Sequence, residues 1–247
     1  MSLITTSAVV AGAKNIAEKE VVKAIVQHFK REVISRWSEY RAERFFITFL
    51  DEMRKEKDVR LESAALNDML RMIAETDKQT TVLFDAYRRV ALSASKDIGP
   101  MVIGMLTAII ALEDRDATAD EELIFEGAET LSDLDFNDLD NWLERVQTLS
   151  TTNDENGVLS VLVKTGPEQP AGVSLLRVGT GIDDVPMDIA KDLGVFALKL
   201  KNIGLLAERT RRRENPREPG ATRYYVLVDA PCRQLAKLAA RAKSATV

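Results

Sequence analysis

Two stretches decide the fold: Asn202-Ile-Gly-Leu-Leu206, and Glu214-Asn-Pro-Arg-Glu-Pro-Gly220 followed closely by Arg223-Tyr-Tyr-Val-Leu-Val228. Upstream of them, Ile189, Leu193, Phe196, Leu200 and Ile203 are spaced four, three, four, three, which puts them on one buried stripe of a helix. Asp184 can cap that helix and Pro186 sits near its first position. Gly204 supplies the C-cap. Leu205–Arg213 then reads as a strand, 214–220 as a polar turn, 223–228 as the return strand and Cys232–Lys243 as a closing helix. Further upstream, Gly172–Gly179 reads as a helix and Thr180–Asp184 as a turn. The apolar element Gly157–Pro167 suits a first helix, yet Val161 and Val163 equally favour a strand.

This order resembles winged helix-turn-helix proteins of the bacterial-regulator type, over about 154–243. The resemblance implies duplex DNA binding, with the third helix in the major groove and the wing on the backbone. The residues that would serve are Lys191, Lys199, Arg209, Arg211, Arg212, Arg213, Arg217 and Arg223. Arginine suits this purpose because its planar fork matches phosphate oxygens. Against it, the start of the third helix carries Asp183, Asp184 and Asp188, which repel phosphates, and its only early base is Lys191. An acidic protein partner is therefore a second expectation.

The N-terminal half has different punctuation. No glycine or proline falls between Gly12 and Gly99, whereas eight of the twelve glycines and six of the seven prolines follow Ser150. The break at Ser150–Gly157 predicts two domains, an acidic helical bundle over 1–150 and a winged-helix domain over 151–247, so that the fold class is mainly α with a small β-hairpin. Charge divides similarly. Residues 187–247 hold 13 Lys/Arg against 6 Asp/Glu, a net of +7; the whole chain is −5, leaving −12 for residues 1–186.

In the bundle, Val22, Val26, Phe29, Val33, Trp37 and Tyr40, continued by Phe45, Phe46, Phe49, Leu50 and Met53, predict a helix from Asn15 to Lys57. Forty residues make about 60 Å of helix. That exceeds a small domain, so the helix is expected either to break near Arg41–Arg44 or to pack against a second copy, as a homodimer. Helices follow over Arg60–Glu75, with Leu66, Leu70 and Ile73 on one edge, and over Lys78–Ser95, with Leu83, Tyr87 and Val90. Asp97-Ile-Gly-Pro100 starts the next, capped by Asp97, and its near-uniform apolarity to Leu112 marks it as central.

The acidic segment Glu113–Glu122 holds a capping box, Thr118 with Glu121, and Asp133-Leu-Asp135 caps a last helix bearing Phe136, Leu139, Trp142 and Leu143. An apolar helix, an acidic loop, a Glu-rich helix start and a Leu-rich acidic helix over 102–146 resemble the tellurite-resistance TerB-like helical proteins. That resemblance makes Asp114, Asp116, Glu121 and Glu122 the matching metal candidates, suited to calcium or magnesium. The acids equally suit helix N-termini, where the macrodipole favours negative charge.

Catalytic chemistry has little to work with. The lone histidine, His28, lies on the long helix, and the lone cysteine, Cys232, excludes an internal disulfide. No phosphate-cradling glycine motif occurs. The apolar run Gly99–Leu112 falls short of the ~20 residues a bilayer span needs. The expectation is a cytoplasmic, non-enzymatic protein without a cofactor or membrane partner. It reads either as a DNA-binding transcriptional regulator or as a protein-interaction scaffold related to stress or phage defence.

Overall fold

A computed structural model describes residues 39–57, 77–149, 151–153, 159–166, 187–211 and 221–245. Among them the chain is mainly helical, with a small antiparallel sheet. It divides into two compact units, Met1–Asp133 with Leu238–Val247, and Leu134–Lys237.

In the first unit, α1 (Glu39–Lys57), α2 (Asp77–Leu92) and α4 (Ala119–Thr130) each pack on α3 (Ile98–Leu112). As its composition predicts, α3 is buried along nearly its whole length. The aromatic stripe of α1 is spent on this core: Phe45, Phe46, Phe49, Leu50 and Met53 are all buried. Phe45 meets Phe46 edge-on at 4.9 Å, and Phe46 lies 5.9 Å from Tyr87 of α2. The helices approach closely at Gly104, where a Cβ would stand 2.6 Å from the Phe45 carbonyl oxygen. The earlier part of the long helix, His28 and the expected helix over 60–75 lie outside the described residues.

The start of α3 differs from expectation. Asp97 makes no side-chain cap. Its carboxylate instead accepts the Tyr40 hydroxyl at 2.5 Å and pairs with Arg44 at 3.1 Å. The amides of Lys96, Asp97 and Ile98 donate to the Asp133 carboxylate at 2.8, 3.3 and 3.0 Å, and Ser95 Oγ donates to it at 2.5 Å. Asp133 therefore serves α3 rather than the helix it begins. Sequence reading misassigned both aspartates because an acid just before a helix is ordinarily a local cap, while a carboxylate arriving from 35 residues away leaves no local trace.

The capping box at α4 forms as expected: Thr118 Oγ1 accepts from the Glu121 amide, and the Glu121 carboxylate accepts from the Thr118 amide at 2.8 Å.

The second unit holds α5 (Asp133–Gln147, from Leu134 onward), the sheet, α6 (Ile189–Asp192), α7 (Val195–Ile203) and the first part of α8 (Ala230–Ser244). The strands are β1 (Thr151–Asn153), β2 (Leu159–Thr165), β3 (Leu206–Arg211) and β4 (Arg223–Val228), in the spatial order β1-β2-β4-β3, all antiparallel. Leu159–Thr165, within the stretch that suited a first helix or a strand, is thus a strand. Its β-branched valines fit a pleated surface, and Val161 pairs with Val226. A register shift between Leu162 and Lys164 makes a bulge at Val163.

The expected third helix is also interrupted. Asp188 caps α6, its carboxylate accepting from the Ala190 and Lys191 amides, and Gly194 at φ +96° separates that turn from α7. A side chain at 194 would be strained in this conformation. The apolar stripe survives the break, with Ile189, Leu193, Leu200 and Ile203 buried, and Gly204 closes α7 in the left-handed region as expected. Asp184, Pro186 and the elements expected over 172–184 lie outside the described residues.

Cys232 on α8 is fully buried. Burial pushes its thiol up to about 12, with Asp229 adding to the rise and Arg233 opposing it. A thiol reagent at pH 8 should leave the native protein unmodified and label it once after denaturation, because the thiolate is the reactive form. Rapid native labelling would show the site to be open.

Candidate nucleic-acid interface

Directly opposed residues of antiparallel strands share a face of the sheet. The register opposes Val226 to Val161, Val228 to Leu206 and Tyr224 to Thr210. Val161, Leu206, Tyr224, Val226 and Val228 are buried, so this is the core face. The other face opposes Arg209 to Tyr225 and Arg211 to Arg223, with Leu162 and Thr165 of β2 beside them. Arg209, Arg211 and Arg223 are exposed, and Tyr225 is half-buried among them. Three of the eight sequence-predicted cations are thereby gathered onto one surface. Arg211 and Arg223 stand directly opposite each other in the ladder.

The other candidates are placed differently. Arg212, Arg213 and Arg217 lie outside the described residues. Lys191 is exposed, in a turn that also carries Asp188 and Asp192. Lys199 of α7 is held by Asp135 of α5, with Nζ 2.5 Å from Oδ2. Lys201 is likewise paired with Glu208 of β3. These two carboxylates were missed in the sequence. Asp135 was assigned to a helix start, and Glu208 is a lone acid in a basic run whose pairing depends on the strand facing α7.

The four metal candidates do not converge. Glu121 is taken by Arg115, whose Nη1 and Nη2 donate to its two oxygens at 2.6 and 2.7 Å, and Arg115 also pairs with Glu113. The Arg115 hydrogen bonds hold Glu121 at about 2; burial opposes this, and hydrogen bonds from Thr118 assist. Glu122 pairs with Arg89 at 2.5 Å. Asp114 and Asp116 are exposed. Among the described residues no three acidic, histidine or cysteine side chains are grouped to hold a metal ion. The cation at this loop is a guanidinium. No described helix is long and apolar enough to cross a membrane.

Neither a protein-family model, nor a curated protein, nor a solved structure matches the chain.

Proposed function

We propose that the protein is a non-enzymatic regulator that binds duplex DNA through phosphate contacts on the arginine face of β3 and β4. The observation that carries this is Arg211 opposite Arg223, with Arg209 on the same face. A phosphate placed between Arg211 and Arg223 would accept charge-assisted, forked hydrogen bonds from both. Topology supports the same reading. The strand order β2-β4-β3, with a helix immediately before β3 and a polar connection after it, is the arrangement expected of a winged helix.

Fluorescence anisotropy with a labelled duplex tests it. The Arg211→Ala/Arg223→Ala pair should weaken binding on the order of 10- to 100-fold at low salt, and make the salt slope shallower by about two. Circular dichroism melts of the same pair should show a folded protein, so that the loss reads on binding and not on unfolding. No retention of duplex by the unaltered protein at low salt would sink the reading.

A protein-contact role is favoured by a separate observation. Val195, at the start of α7, is 76% exposed, and both lysines of α7 are already paired. Polyglutamate in place of duplex separates the two: arginine-dependent binding of polyglutamate without duplex binding would favour the acidic protein.

A further inference from the structure

A cavity of about 220 Å³ lies within the first unit, between α1, α3 and the end of α8. Its apolar lining is Ile47, Met101 and Met105, and its charged lining includes Asp51, Glu52 and Lys55 of α1 with Arg241 of α8. Arg44 also reaches it but is committed to Tyr40 and Asp97. The Glu52 side chain is only 7% exposed, yet among the described residues a single nitrogen hydrogen-bonds to it: Arg241 Nη2, at 2.7 and 2.6 Å from the two oxygens. Lys55 Nζ stands 3.7 Å away, beyond hydrogen-bond reach, and lies closer to Asp51 at 2.9 Å. Thr48, one turn earlier, donates to the Arg44 carbonyl instead. A carboxylate can accept about four hydrogen bonds, and a buried charge is expensive unless it is paired and hydrogen-bonded. Glu52 therefore has acceptor capacity to spare at the cavity. Arg241 has the converse: Nε and Nη1 donate to nothing among the described residues.

We propose that this cavity binds a free α-amino acid with an apolar side chain. Its carboxylate takes the remaining donors of Arg241, its ammonium takes Glu52, and its side chain rests on Met101 and Met105. The Glu52–Arg241 bond stays intact, because an ion pair is complementary to a zwitterion laid against it in the opposite sense. A ligand bearing only a cation would meet Lys55 and Arg241, and one bearing only an anion would meet Asp51 and Glu52. The volume is below the roughly 300–1,000 Å³ of pockets for drug-sized ligands, and flexible thioethers mould to varied apolar shapes. The site belongs to the other unit from the arginine face and does not depend on it.

Thermal melts of the full chain provide the test. L-Leucine or L-methionine at about 10 mM should raise the midpoint by about 3 °C. Leucinamide, which lacks the carboxylate, isocaproate, which lacks the ammonium, and glycine, which lacks the side chain, should each give less than half of that shift. Arg241→Lys keeps a cation for Glu52 but loses the planar donors, and should weaken leucine binding about tenfold by calorimetry while melting at the same temperature without ligand. Absence of a shift with both amino acids would overturn the proposal. So would a full shift with leucinamide or isocaproate, which would mean recognition of one charge only. Unchanged leucine affinity in Arg241→Lys would place the ligand elsewhere and overturn it too.

Discussion

Gly104→Val is expected to lower the stability of the first unit by about 3 kcal/mol or more, the upper part of the range for overpacked cores. The cause is backbone against backbone. A Cβ at 104 would stand 2.6 Å from the Phe45 carbonyl oxygen and 3.2 Å from the Phe49 amide nitrogen. Neither atom belongs to a side chain that can swing aside, so α1 must lift from α3 and loosen the contacts of Phe45, Phe46 and Phe49. Gly104→Ala decides whether sterics or propensity dominates. Alanine gains about 1 kcal/mol over glycine in a helix interior, so a net loss with alanine means that the close approach outweighs it. Thermal melts of both variants provide the check, with a fall of roughly 10 °C expected for valine at 2–4 °C per kcal/mol. An unchanged midpoint would mean that the two helices are further apart than described.

Asp133→Ala is the second large effect, about 2–4 kcal/mol. Four donors converge on this carboxylate: Ser95 Oγ and the amides of Lys96, Asp97 and Ile98. Ser95 Oγ in turn accepts the Gly99 amide at 2.7 Å. The first amides of a helix have no partner within it, and those of α3 begin a segment that is otherwise buried. Leaving them unpaired costs more than the loss of an exposed cap. Asp133→Asn, which keeps one neutral acceptor, should cost roughly half as much.

Acid provides an independent readout. Burial alone would raise the Asp133 carboxyl, but the Ser95 hydroxyl and the three amides outweigh it and hold it below the usual carboxylate range. A carboxyl depressed on folding adds stability that is present above its unfolded value, near 3.9 for aspartate. That stability is lost as pH falls through the folded value. Glu121 behaves alike, from 4.5 down to about 2. Urea titrations at pH 7 and pH 3 should therefore show a smaller acid loss in Asp133→Ala than in the unaltered protein; equal losses would mean that Asp133 is not the acceptor described.

The parts of this fold that were legible in the sequence are those in which cause and effect lie close along the chain. The near-uniform apolarity of Pro100–Leu112, the Thr118–Glu121 capping box, the glycine cap at 204 and the strands on either side of the polar turn each depend on a few consecutive residues, and each is observed. What was not legible depends on register or distance. The four-three spacing of Ile189 to Ile203 is satisfied by a turn and a helix in succession as well as by one helix, and only the backbone angle at Gly194 separates them. Val161 and Val163 left strand and helix open until pairing with β4 chose the strand. The arginines were visible as a cluster, but not that Arg211 would oppose Arg223 or that Lys199 would turn to Asp135.

Among the described residues β3 lies at one end of the sheet, which has a consequence for self-association. A terminal strand presents unpaired backbone groups to which another chain can add, and charge along it is the usual protection against that. Exposed Glu208, Arg209 and Arg211 place charge at half of the six residues of this edge. The arginines proposed to meet phosphate would thus also guard this edge, and the two duties part company under mutation. Alanine at 209 and 211 would remove the proposed phosphate contacts and two of the three charges of the guard, leaving Glu208 as the one charge on the strand. Glutamate at the same positions abolishes phosphate attraction yet retains the charge that blocks strand addition. Charge reversal is therefore the cleaner way to silence this surface, because it separates lost recognition from newly gained stickiness.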